Sequence, residues 1–254
     1  MAAASPVRLL VVNGCSMTFG DELPNRLETC WGALLARRLG ADFVNLGACA
    51  GSNHRMMRLT VERLGGYTAE RGLRPDEVLF LGMWSRINRF EVFAGEPDRQ
   101  GGLPDIPDPG WCRLHPTYID RHDRRSTVWY KELQHDSGDR VEFLLQWVLL
   151  DSWLARNGYR YGFLWAFDPD PTIFEELRPY SEQIDLSRVI GSDRFPYGGP
   201  SVFSVGKALG DLGPYRHPLV RSQEVFVEEY VDGWVRDLLR REPSAPSPAR
   251  RRGA

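Results

Sequence analysis

Four apolar runs of strand length, separated by stretches of helical periodicity, constrain this chain more than any other feature. They are VRLLVVN at 7–13, DFVNLG at 42–47, EVLFLGMW at 77–84 and YRYGFLWAF at 159–167. Apolar residues sit side by side in them instead of alternating with polar ones, the pattern of parallel strands covered on both faces. Helical spacing falls at 28–40, 53–72 and 140–158 between the runs, and at 220–241 after the last. Strands alternating with helices predict a three-layer α/β/α domain with a parallel sheet and right-handed crossovers. A chain of 254 residues, 42% apolar, can bury one sizeable core of this kind, and a single domain is expected at 1–241.

Two regions break the rhythm. Residues 86–138 form a long insertion with no strand–helix pattern, the place for a lid or a partner surface. Residues 242–254, EPSAPSPARRRGA, have the composition of a disordered tail. A formal net charge of −2 gives no reason to expect nucleic acid as partner. No apolar run approaches the roughly 18–20 residues that span a bilayer. The start, MAAASPVRLLVV, lacks a basic leader region, so a cytoplasmic protein is expected. Cys15, Cys30, Cys49 and Cys112 show no CxxC pairing, which points to free thiols and away from zinc. His115, His122, Asp123 and His135 are too irregularly spaced for a metal site, and no GxGxxG follows the first strand. No cofactor is expected, and oligomeric state is not legible.

Ligands of parallel α/β sheets bind beyond the C-terminal strand ends. Three polar, glycine-bearing loops fall there: NGCSMTFGDEL after the first strand, GACAGSN after the second and GMWSRIN after the third. Ser16 in the first has the small neighbours that expose a hydroxyl, though a serine there also serves as a turn or helix cap. A serine hydroxyl becomes a nucleophile only when a base takes its proton and donors receive the oxyanion. Among five histidines, His217 lies on the last loop, just before the final helix. Asp21 and Glu22 can cap a helix or line the site.

These separated blocks resemble the SGNH/GDSL hydrolase family, roughly over residues 7–240. NGCSMTFGDEL looks like its serine block, NLGACAGSN (45–53) its second block, and RHP its histidine block. The resemblance implies a flavodoxin-like sheet, Ser16 as nucleophile and His217 as general base. It implies oxyanion donors at the amides of Ser16 and Gly51. The family's third-block Asn is absent; Ser85 or Asn88 is its candidate replacement. The family's acid stands three residues before the histidine, where this chain has Pro214. Either Asp211, six residues before, orients the imidazole, or the site is a Ser–His dyad. Asn53 and Arg86 are the candidates for substrate contact, Arg86 alternatively for an ion pair bracing its loop. The implied function is hydrolysis of a small-molecule carboxylic ester through an acyl-Ser16 intermediate. Transfer of the same acyl group to another acceptor, or a silent binding protein on this scaffold, are the alternatives.

Overall fold

A computed structural model describes residues 6–95 and 108–241. Among the described residues six strands form: β1 (Leu9–Asn13), β2 (Asp42–Asn45), β3 (Val78–Trp84), β4 (Phe90–Phe93), β5 (Trp111–Leu114) and β6 (Arg160–Trp165). The four apolar runs give one parallel sheet in the order β2-β1-β3-β6. Renumbered within the sheet, this is the 2-1-3-4 start of a flavodoxin-like order. A lone parallel bridge, Phe163 to Val189, lies beside β6 where a fifth strand would add.

Neighbouring residues on a strand point to opposite faces, which is why unbroken apolar runs suit this position. Leu9, Val11, Phe80, Trp84 and Phe163 enter one core layer, against Met56, Phe143 and Trp147. Those three come from the helices Asn53–Glu70 and Asp136–Arg156. Leu10, Val12, Leu79, Leu81 and Leu164 enter the other layer, against Trp31, Leu35, Phe226 and Val235. The helix Trp31–Leu39 and the C-terminal segments Phe226–Val231 and Asp232–Arg240 supply these. Gly162 is needed for the fit, since a Cβ there would lie 2.6 Å from the Trp234 ring. The expected three-layer α/β/α architecture is the one observed.

The helices differ from expectation at their ends. The segment at 28–40 is broken at Cys30 into Arg26–Thr29 and Trp31–Leu39, with Cys30 in extended backbone. The helix expected from 140 begins at Asp136, where the Gln134 amide donates to both Asp136 and Asp139 at 2.8 Å. The final segment carries a π-helical stretch at Phe226–Val231.

The insertion is more regular than its composition suggests. β4 and β5 pair as an antiparallel hairpin, Phe90 opposite Leu114 and Phe93 opposite Trp111. Buried charge pins the hairpin to the helix Asn53–Glu70. Arg58 donates to both Glu91 oxygens at 2.7 and 2.9 Å, and Arg55 to Asp108 at 3.1 Å. Burial pushes the Glu91 carboxyl up, but hydrogen bonds from Arg58 and His54 outweigh it and hold it below its ordinary 4.5. The expected tail at 242–254 lies outside the described residues. Among those residues the four cysteines are free, no helix is long and apolar enough to cross a membrane, and no three His, Cys, Asp or Glu gather to hold a metal.

Candidate active site

β1 ends on Asn13, whose side chain sets up the turn that follows. Its carbonyl accepts the Gly14 amide at 2.8 Å, while its NH2 donates to the Met56 carbonyl at 3.0 Å and Thr60 Oγ1 at 3.1 Å. The turn is thereby fastened to the helix Asn53–Glu70. Cys15 is extended, and Ser16 opens a single helical turn, Ser16–Phe19, closed by Gly20 at φ 85°. A residue opening a helix has no intrahelical acceptor for its amide, so Ser16 carries a hydroxyl and, among the described residues, an N–H without a backbone partner side by side.

The chain then makes a second sharp bend. Glu22 adopts φ 65°, a left-handed conformation that costs a non-glycine residue about 1 kcal/mol or more. The bend aims its carboxylate at the loop before the last helix. There Glu22 accepts the amides of Tyr215 at 3.0 Å and of His217 at 3.1 Å, and lies 2.8 Å from His217 Nδ1. Gly213 leaves room for it: a Cβ at Gly213 would come within 2.5 Å of Glu22 Oε1. The other imidazole nitrogen, Nε2, is 2.9 Å from Ser16 Oγ. Ser16, Glu22 and His217 thus form one hydrogen-bonded chain across 201 residues of sequence.

Burial raises the Glu22 carboxyl, but the two amides and the imidazole together bring it below its ordinary 4.5. An ionised carboxylate only accepts, so Nδ1 must be the protonated nitrogen. In the neutral ring Nε2 is then a bare acceptor, and the Ser16 hydroxyl donates to it. That is the protonation pattern a serine nucleophile needs.

Asp211 does not hold this position. Its carboxylate accepts the Ser222 amide and hydroxyl, both at 2.7 Å, and caps the helix Val220–Val225. The reason is local: the Leu219 amide donates to the Asp211 carbonyl, and Leu212 bridges to Pro218, which turns Asp211 toward the helix start. The sequence signals for Glu22 are Pro214 at the family's acid position and an acidic pair just past the serine turn. Neither says that the first loop reaches the last.

Other expected positions also shift. The Gly51 amide donates to the Ala48 carbonyl at 3.0 Å, so it is not an open donor. Gly51 matters for space, because a Cβ would meet the Gly14 carbonyl at 2.8 Å. Asn53, expected at the substrate, is buried and braces the third loop: its Oδ1 accepts the Ser85 amide at 2.8 Å, and its NH2 donates to the Ser85 carbonyl at 3.3 Å. Ser85 Oγ accepts from Arg89 at 3.0 Å. The Asn88 carbonyl takes the Tyr130 hydroxyl at 2.7 Å. Arg86 lies 4.3 Å over the Phe167 ring and pairs with no carboxylate among the described residues. Ser85, Arg86 and Asn88 line a cavity of about 290 Å³ beyond the ends of β3 and β6, walled by Phe143, Phe167 and Phe174.

A family model matches residues 21–248. The chain belongs to the family of unknown function DUF6071. The match takes in Glu22 and His217 and starts after Ser16. No protein of curated function matches this DUF6071 chain. Its solved structural neighbours include esterases and a lipase. One is the acetyl xylan esterase Est2A from the rumen bacterium Butyrivibrio proteoclasticus, with a TM-score of 0.51 at 13% identity, covering 91% of this chain and 64% of that one. TesA gives 0.47 at 16% identity, covering 91% and 99%. The psychrotrophic esterase EstA from Pseudoalteromonas sp. gives 0.45 at 9%, covering 91% and 96%. At such identities the likeness is one of fold.

Proposed function

We propose that this chain is a serine hydrolase of the SGNH/GDSL type that cleaves a carboxylic ester of a small molecule through an acyl-Ser16 intermediate. The observation that carries this reading is the hydrogen-bonded chain Ser16–His217–Glu22, with contacts of 2.9 and 2.8 Å. Ser16 Oγ attacks the ester carbonyl while its proton passes to His217 Nε2. Glu22 stabilises the imidazolium that results and keeps the ring oriented. The Ser16 amide receives the oxyanion. On collapse the alcohol leaves with the proton from Nε2, and the acyl group stays on Ser16. A water molecule, deprotonated by His217, then releases the acid and restores the hydroxyl.

The oxyanion site is sparse in this reading, because Gly51 is engaged with Ala48 and the third-block asparagine is absent. One oxyanion donor is worth about 2.7–4 kcal/mol of barrier. Turnover of simple esters is therefore expected to be slow. The test is hydrolysis of an aryl acetate by purified wild type and Ser16→Ala. A loss of roughly a thousandfold or more is expected with the circular dichroism spectrum unchanged. Equal turnover by the folded variant removes Ser16 from the reaction.

A further inference from the structure

We infer that Asp21 sets the charge preference of the site, selecting esters that carry an ammonium group close to the scissile bond. This deepens the serine-hydrolase reading and rests on it. The Asp21 Oδ2 atom lies 3.8 Å from His217 Nε2, on the side of the ring that meets Ser16. Glu22 occupies the opposite nitrogen, so two consecutive carboxylates flank one imidazole.

The two carboxylates differ in how they are compensated. Glu22 takes two backbone amides and the Nδ1 proton. Among the described residues Asp21 takes only the amide of Glu22, at 3.2 Å, and the thiol of Cys49. Burial and the neighbouring Asp21 push that thiol up to about 12, so Cys49 stays a neutral donor. In the neutral ring Nε2 is no donor, because its lone pair receives the serine proton. No Lys or Arg pairs with Asp21 among the described residues. Its side chain is 39% exposed, against 14% for His217, so its charge is open to a group that approaches from solvent.

A fixed anion beside a forming oxyanion opposes the reaction, unless the substrate brings the compensating charge.

Two phosphonate probes of equal shape test this without knowledge of the natural ester. One carries a 2-(trimethylammonio)ethylthio leaving group, the other its uncharged 3,3-dimethylbutylthio counterpart. Labelling of Ser16 is expected to be roughly tenfold faster with the cationic probe at low ionic strength. The ratio should fall to within about twofold in Asp21→Asn, and toward that value in wild type as salt screens the charge. Charge acting only through His217 would alter both probes together and leave the ratio intact. Equal rates in wild type overturn the inference while leaving the hydrolase reading in place. A ratio that survives both Asp21→Asn and salt removes Asp21 from the selection. Should Asp21→Asn lose its fold, Asp21→Ser and the wild-type salt series decide. Failure of both probes to label Ser16 in folded protein overturns the hydrolase reading and this inference with it.

Discussion

Replacing Glu22 by Gln keeps an acceptor beside His217 Nδ1 but removes the charge that stabilises the imidazolium. Turnover is expected to fall by roughly 10⁴-fold, with little change in KM, measured on an aryl acetate at saturating substrate. Asp211→Ala is expected to do the opposite. It removes the cap on Ser222, lowers stability by about 0.5–2 kcal/mol in urea unfolding, and leaves kcat per folded molecule unchanged. The pair separates the acid seen in the structure from the acid that sequence spacing suggests. Ser16 and His217 are legible because each sits on a loop that the strand–helix rhythm places at one sheet edge. Glu22 is not, because its role depends on a left-handed backbone bend and on a glycine, Gly213, that admits the carboxylate from another loop. Both are properties of contacts between distant segments, which one-dimensional spacing does not encode.

Among the elements, the hairpin of the insertion is the one held by charge. Glu91 is fully buried against Arg58, so Arg58→Ala leaves a buried ionised carboxylate without its two hydrogen bonds from that guanidinium. Such a loss costs about 3–5 kcal/mol, and urea unfolding of the variant should show it. The helix Asp136–Arg156 and β6 contain the converse case. Burial pushes the Asp151 carboxyl up to about 6, despite a hydrogen bond with Tyr161, and its Oδ1 has no partner. The folded state then binds that proton more tightly than the unfolded state. This part of the stability is complete below pH 3.8, declines as pH rises toward about 6, and is absent above it. Asp151→Asn is therefore expected to stabilise the protein at pH 7 by about 1–3 kcal/mol and to flatten that decline. The hairpin is illegible in the sequence because its strands are four residues each and no short turn joins them.

For the whole molecule, the layered sheet follows from composition and order: both faces of the four central strands are apolar, and each has a helix to cover it. Acid should unfold it from the site and the hairpin together. Glu22 and Glu91 both have folded values below the ordinary 4.5. Their contribution is complete above that value and is lost as pH falls through the lower folded values, so urea midpoints measured across this range should drop on acidification. Glu22→Gln should remove part of that drop. The proposed reaction requires two side chains 201 positions apart to act as nucleophile and base. The most direct measurement is peptide mass spectrometry after exposure to a fluorophosphonate, on wild type and His217→Ala. The adduct is expected on Ser16 in wild type and at least roughly a hundredfold slower in the variant. No adduct on Ser16, or equal rates in the two proteins, would contradict it.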